Sequence, residues 1–338
     1  MIEIIDTRAS RVLIGAGARA RVPGELADRA IFLIATGSAR SAADALAADS
    51  AVAGRFDHPV VHTPVAVTEE ALSVLCDEVE VLVAVGGGSA IGLSKALSAR
   101  TGLPQVVVPT TYAGSEMTPV LGETDGGTKT TRRDPALIPG TVVYDPELTV
   151  SMPAGLTLTS ALNALAHSVE ALWAPNATIL SDAYATESAA ALVDGLPAVL
   201  DDLADIDARA RVQQGAWLAG MCLAHARMGL HHQLAHVLGG IYDLPHAELH
   251  AMLLAHVMRF DLPSVPKVLR RLARVMGGDP ATVVADLAAA YDGPTRLREL
   301  GVPRAGLADV ADRVLTAPYP NPRELERQAL IELLDAAW

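Results

Sequence analysis

The chain has 338 residues and a formal net charge of −13, with 26 Lys and Arg against 39 Asp and Glu. At 51% hydrophobic it is too apolar for a disordered polypeptide, and an acidic chain without a basic run lacks the clustered cations that nucleic-acid binding needs. Its two cysteines cannot build a disulfide framework. No apolar run of about 18 residues is uninterrupted, and the opening MIEIIDTRASRV has no basic segment leading into an apolar one. The expectation is a cytoplasmic globular protein with no membrane or nucleic-acid partner.

Taken in chain order, Arg11–Ile14 and Ala18–Val22 flank Gly15 and Gly17 and predict a hairpin. Ile31–Ala35, Pro59–His62, Val79–Val85 and Gln105–Pro109 are short apolar runs that predict strands, and the Ala-rich stretches Arg40–Asp49 and Glu69–Glu78 between them predict helices. Runs apolar throughout imply strands buried on both faces, and strand–helix alternation implies βαβ units. Near Leu148–Pro153 the pattern changes. Thr157–Trp173, Ser181–Leu200, Ala208–Ala226, Leu230–Gly240, Leu249–Phe260, Pro266–Val275, Pro280–Tyr291 and Arg323–Trp338 all read as helices. The expected organisation is an α/β N-terminal dinucleotide-binding domain, residues 1–152, and an all-α C-terminal domain, residues 153–338.

Several stretches carry chemistry. Val81–Ala96 runs from an apolar strand through Gly86, Gly87, Gly88 and Ser89 into a helix, where backbone N–H groups can face a phosphate. The loop Pro109–Glu116 follows a second strand with hydroxyls at Thr110, Thr111 and Ser115, beside Tyr112; ligands of open α/β sheets bind at such strand ends. Lys129, Arg132 and Arg133 form the densest basic stretch, suited to substrate carboxylates. Five of the ten histidines fall within residues 225–246. His232 and His236 share a helix face, as do Asn163 and His167. Such a cluster suits proton transfer or metal binding, although an amide stands where a metal site usually has a carboxylate. His225, His231, His250 and His256 are read as structural. Tyr319 lies in a loop fixed by three prolines and is a candidate proton donor.

The segments GGGSAIGLSKA, PTTYAGSEMTPV, NALAHSVEALWAPNA and GLHHQLAHVLGGIYDLPHAELHAMLLAHV together resemble the iron-containing alcohol dehydrogenase superfamily, whose fold is dehydroquinate synthase-like, and specifically its maleylacetate reductase branch. The resemblance implies a nicotinamide cofactor, NADH or NADPH, with the pyrophosphate at Gly86–Ser89 and Thr110, Thr111 and Ser115 along it. It places the metal ligands of the metal-dependent members at Asn163, His167, His232 and His246, with His236 as a further active-site histidine. Asn163 in place of Asp, and Gly92 where many such members have Asp, are similar to maleylacetate reductases and imply that no metal is required. The implied reaction is reduction of the C=C bond of 2-maleylacetate, a small dicarboxylate, to 3-oxoadipate in aromatic catabolism. It implies a homodimer as well.

His236, aided by His167, His232 or His246, then stabilises the enolate, and Tyr319 or a histidine protonates carbon. After the strand at Ile31, Thr36 and Arg40 lie where an acid would select NAD, and no acid is present, so NADPH is expected to be accepted. The alternatives are a metal-dependent alcohol or polyol dehydrogenase of this fold, a biosynthetic reductase of a related enone acid, and a non-catalytic dinucleotide-binding protein.

Overall fold

A computed structural model describes residues 10–338; the expectations on residues 1–9 lie outside the described residues. Two compact units are present, residues 10–152 with 204–213, and residues 153–203 with 214–338. Among the described residues no helix is long and apolar enough to cross a membrane.

The first unit contains β1 (Arg11–Ile14), α1 (Val22–Leu26), β2 (Ile31–Ala35), α2 (Arg40–Ala48), β3 (Val52–Phe56), α3 (Val65–Ser73), β4 (Val81–Gly86), α4 (Gly88–Thr101), β5 (Gln105–Pro109), β6 (Val120–Asp125), β7 (Thr128–Arg133) and β8 (Thr141–Tyr144). Six strands form one parallel sheet in the order β1-β8-β5-β4-β2-β3. Its central strands β2 and β4 are apolar throughout because both faces are covered. Ile31, Leu33, Val83 and Val108 meet Val22, Leu26, Ala43 and Leu46 on one face. Phe32, Ile34, Leu82 and Val107 meet Ala71, Ile91, Leu93 and Leu97 on the other. Each buried Val, Leu, Ile or Phe among them contributes about 1.5–3 kcal/mol.

Two expectations fail here. Arg11–Ile14 does not turn back in a hairpin; it pairs parallel with β8. The carboxylate of Asp145 accepts from the backbone N–H of Gly17 (3.2 Å) and Arg19 (3.1 Å), which holds the following segment as a helical turn leading into α1. The strand beside β2 is Val52–Phe56, not Pro59–His62. Pro59 has no N–H to donate to a ladder, and His62 has φ 64°. As an edge strand, β3 needs one paired side only, so Gly54 and Arg55 are accommodated and no apolar run announces it. The basic stretch Thr128–Arg133 is β7, paired antiparallel with β6 outside the main sheet.

The second unit contains α5 (Ala154–Ala171), α6 (Ile179–Asp201), most of α7 (Ile206–His225), α8 (Leu230–Tyr242), α9 (His246–Asp261), α10 (Pro266–Met276), α11 (Pro280–Ala288), α12 (Leu307–Thr316) and α13 (Arg327–Ala337). The helix α12 was not among those expected, and the last helix begins at Arg327, four residues after Arg323. A core of Leu234, Leu238, Leu249, Leu253, Val310, Val314, Leu330 and Leu334 joins α8, α9, α12 and α13.

Gly92 on α4 is a close-approach position. A Cβ there would lie 2.3 Å from Thr63 Oγ1, so the Thr63 hydroxyl fills the space of a side chain. Gly92→Ala is expected to lower unfolding stability by about 1–3 kcal/mol, and Thr63→Ala is expected to remove most of that penalty in a double-mutant cycle followed by urea unfolding; additive losses would refute the contact.

Candidate active site

In the α/β unit, the turns after β2, β4 and β5 lie against one another. The Thr36 N–H donates to Val85 O, and the Thr110 N–H to Gly86 O at 3.1 Å. A Cβ at Gly86, where φ is 151°, would lie 2.8 Å from the Thr36 side chain, and one at Gly87 would lie 2.9 Å from Thr111 Cγ2. Glycine is what lets these loops meet. Gly88 and Ser89 open α4 with no side chain capping its first turn, and a Cβ at Gly88 would meet open space. Uncapped N–H groups at the start of a 14-residue helix suit a phosphate. The residues present therefore fit a dinucleotide.

The next loop is held by a lysine that no sequence motif singles out. Lys95 is buried on α4, and its ammonium donates to Ser115 O (2.5 Å), Thr118 O (2.7 Å), Thr118 Oγ1 (3.0 Å) and Val120 O (3.1 Å). Burial pulls its pKa down to about 7. Beside it, Glu116 is buried and accepts from the Tyr144 hydroxyl at 2.8 Å; burial pushes its carboxyl up. Ser115 Oγ is buried without a hydrogen-bond partner among the described residues. A lysine in the otherwise apolar and small-residue GLSKAL was the available signal.

Other expected residues fall differently. Tyr112 is fully buried, with its hydroxyl 3.3 Å from Thr149 Oγ1 and 3.4 Å from the Arg209 guanidinium, so it serves the core of this unit and presents no surface to a substrate. Lys129, Arg132 and Arg133 are exposed on the β6–β7 hairpin, with Arg132 bonded to Asp134 at 2.6 Å. Arg40 lies 3.7 Å from Asp57, so an acid does reach this corner, from the end of β3; Arg55 holds the same carboxylate at 2.7 Å.

The histidines converge in the helical unit. Asn163 and His167 come from α5, His231, His232 and His236 from α8, and His246 and His250 from α9. Ring centroids are 5.0 Å apart for His167–His232, 4.7 Å for His232–His250, 4.3 Å for His246–His250 and 6.0 Å for His236–His246, the last pair stacked. His231 and His250, read from sequence as structural, are therefore members of this cluster. His225 is apart from it: its Nδ1 pairs with Met221 O at 2.8 Å. Burial lowers His167, His232 and His250 well below the usual imidazole value and His231 to about 4, so all four are neutral at pH 7. His236 and His246 are exposed and form the accessible edge of the cluster.

The organising group is Glu170, three residues beyond His167 and unnoticed in the sequence. Its buried carboxylate accepts from Gly229 N (3.0 Å), His231 N (2.7 Å) and His232 Nδ1 (2.6 Å). Burial raises its pKa while His231 and the N–H donors lower it. With two backbone donors on it, Glu170 is an acceptor, so His232 carries its proton on Nδ1 and presents a bare Nε2 lone pair. A neutral His232 therefore cannot donate a hydrogen bond to an oxyanion, contrary to the expectation that it shares that role.

The resemblance assigns a divalent metal to Asn163, His167, His232 and His246. Asn163 Oδ1, His167 Nδ1 and His232 Nε2 are buried without partners among the described residues. With His246 they make a set of neutral donors lacking the carboxylate that iron sites pair with histidine. The set does not fit iron held in that manner.

Tyr319 is held by Gln233, the neighbour of His232. The Gln233 amide donates to Val314 O and Ala317 O (both 2.8 Å) and accepts from Tyr319 N (2.9 Å). The Tyr319 hydroxyl then lies 3.4 Å from His236 Nδ1. Farther along, Asn321 donates to the buried Asp261 at 2.6 Å. Burial raises Asp261 to about 7, against about 3.9 for an unfolded chain. A raised folded-state pKa means stability fully present below about pH 4 and lost as pH rises through 7. Asp261→Asn is therefore expected to raise the melting temperature by a few degrees at pH 8 and little at pH 4. A difference independent of pH would refute the assignment.

Two family profiles match the chain: "Iron-containing alcohol dehydrogenase" over residues 9–146 and "Fe-containing alcohol dehydrogenase family, C-terminal" over residues 157–338. A maleylacetate reductase of Sphingobium indicum is 43% identical, covering 99% of this chain and 97% of its own length. Maleylacetate reductase 1 of Rhodococcus opacus is 44% identical over 97% of this chain and 94% of its own. The crystal structure of maleylacetate reductase from Agrobacterium tumefaciens is similar with a TM-score of 0.96 at 39% identity, covering 100% of this chain and 98% of that one. With the glycine turn of the α/β unit and the histidine cluster of the helical unit, these likenesses mean that the chain belongs to the iron-containing alcohol dehydrogenase family, in its maleylacetate reductase branch.

Proposed function

We propose that the protein reduces the C=C bond of 2-maleylacetate to 3-oxoadipate with NAD(P)H, a step of aromatic-compound degradation, and that it acts as a homodimer. Full-length relatives of that activity at 43% and 44% identity support the reaction. The observation that carries the choice of residues is the pairing of His236 with Tyr319, 3.4 Å apart at the exposed edge of a buried imidazole cluster.

A bound nicotinamide supplies hydride to the alkene carbon β to the ketone. Negative charge then develops on the ketone oxygen and needs preorganised donors. His236 is proposed for that task, aided by His246 and His167. His232 is confined by Glu170 to accepting, and so orients the substrate or holds a proton in transit. Tyr319, fixed by Gln233, is proposed to protonate the α-carbon. Asn163 offers its amide N–H to a substrate oxygen. Exposed Lys129, Arg132 and Arg133 are proposed to capture carboxylates, which Arg binds bidentately. Thr36, Gly86, Gly87, Gly88, Ser89, Thr110, Thr111 and Ser115 are proposed to hold the cofactor.

For cofactor choice, Arg40 lies 3.7 Å from Asp57, which Arg55 holds at 2.7 Å, and Arg40 is proposed to meet a 2′-phosphate. NADPH is expected to be accepted alongside NADH. Gly37 follows β2, and a Cβ there would meet open space. Gly37→Asp should therefore fold normally while raising the KM for NADPH at least about tenfold more than that for NADH, by charge repulsion.

NADH and NADPH oxidation with fresh 2-maleylacetate, with and without EDTA, tests the reaction directly. Rapid oxidation indifferent to EDTA is expected; activity appearing only with added zinc or iron would favour a metal-dependent dehydrogenase. His236→Ala is expected to lower kcat by about 100-fold or more, and His225→Ala by little. Equal small losses would overturn the role of His236.

A further inference from the structure

We propose that Lys95 is a positioning residue for the dinucleotide: its protonated ammonium holds the loop from Ser115 to Val120 in the shape that binds the cofactor, and loss of that proton loosens the loop. The proposal rests on the reading of Gly86–Ser89, Thr110, Thr111 and Ser115 as the cofactor site.

Lys95 joins two parts of that site. It lies on α4, the helix that opens at Gly88 and Ser89. Its Nζ reaches Ser115 O (2.5 Å), Thr118 O (2.7 Å), Thr118 Oγ1 (3.0 Å) and Val120 O (3.1 Å). About two helical turns separate it from Gly88, so it acts through the loop and not by touching the phosphates. The loop's own bonds are local: Met117 N donates to Gly114 O at 3.2 Å, and the Thr118 hydroxyl to Ser115 O at 2.9 Å. Those bonds stay within the loop, whereas the four from the lysine cross to it from α4. Ser115 Oγ, buried without a hydrogen-bond partner among the described residues, is placed by the bond from Lys95 to the carbonyl of the same residue.

The proton decides whether these bonds exist. An ammonium has three N–H donors, which the surrounding oxygens share. A neutral amine has two, and its lone pair repels the oxygens left over. Buried carbonyls that lose a donor favour a loop that turns toward water. Burial has already drawn the Lys95 pKa down to about 7. The loop is therefore held below pH 7 and released above it. Glu116 is the acid facing Lys95, and its carboxyl accepts from the Tyr144 hydroxyl of β8 at 2.8 Å. Arg100, the other charged residue of α4, is engaged by Glu69 of α3 at 3.2 Å and by Glu123 of β6 at 2.8 Å.

The test is the Kd of NADH for the full-length chain between pH 6 and pH 9, read by the fluorescence of the bound cofactor. NADH is chosen because the 2′-phosphate of NADPH itself titrates near about pH 6. Binding by the unmutated chain is expected to weaken about tenfold as pH rises through 7. Lys95→Arg keeps its charge throughout and is expected to bind without that pH dependence. Lys95→Met is expected to bind at least about tenfold more weakly at pH 6, again without it. A Kd unchanged with pH in the unmutated chain, or the same pH dependence in Lys95→Met, would overturn the proposal. Circular dichroism at each pH checks that the proteins are folded. Should neither variant fold, crystal structures of the unmutated chain at pH 6 and pH 9 decide, by loss of the Lys95 contacts at the higher pH or their retention. Absence of NADH binding at every pH would overturn the cofactor reading and this proposal together, whereas pH-independent binding overturns this proposal alone, so the two failures are distinguishable.

Discussion

A single buried carboxylate organises the helical unit. Glu170 on α5 accepts from Gly229 N and His231 N, backbone N–H groups at the start of α8, and from His232 Nδ1. Removing a charge from water costs several kcal/mol, and charge-assisted hydrogen bonds with the positive end of a helix offset that cost. One interaction thereby caps α8, joins it to α5 and fixes the tautomer of His232. The positions of His231, His236 and Gln233 follow from where α8 begins.

Neutrality is the second consequence. Several imidazoles within 4.3–5.0 Å of one another could not all be protonated. Burial keeps His167, His231, His232 and His250 uncharged at pH 7. A neutral imidazole has one donor and one acceptor, so the hydrogen bond at one nitrogen determines what the other offers. This separates His232, an acceptor, from His236, whose partner at the accessible edge is the Tyr319 phenol. That phenol is held through the backbone of its own loop by the saturated amide of Gln233.

The α/β unit solves a different problem, presenting backbone N–H groups. Its strands deliver the loops after β2, β4 and β5 to adjacent positions, and Gly86 and Gly87 allow those loops to touch Thr36 and Thr111. Lys95 anchors the loop from Ser115 to Val120 from beneath. The cost of burying an ammonium is visible in its lowered pKa, and four oxygen acceptors compensate it.

By itself the sequence determined the parallel sheet, the glycine turn into a helix, the run of C-terminal helices and the histidine spacing on α8. Each is written in a local period or a local motif. Only the tertiary structure decided the rest, because the partners are far apart along the chain. Glu170 meets His232 across 62 positions, Gln233 meets Ala317 across 84, and Arg209 meets Tyr112 across 97. The segment β1 looks like half of a hairpin until β8, far downstream, accepts it as a parallel neighbour. Periodicity tells which face of an element is buried. It does not tell which polar group waits on the other side, and here that group decides whether a histidine donates or accepts.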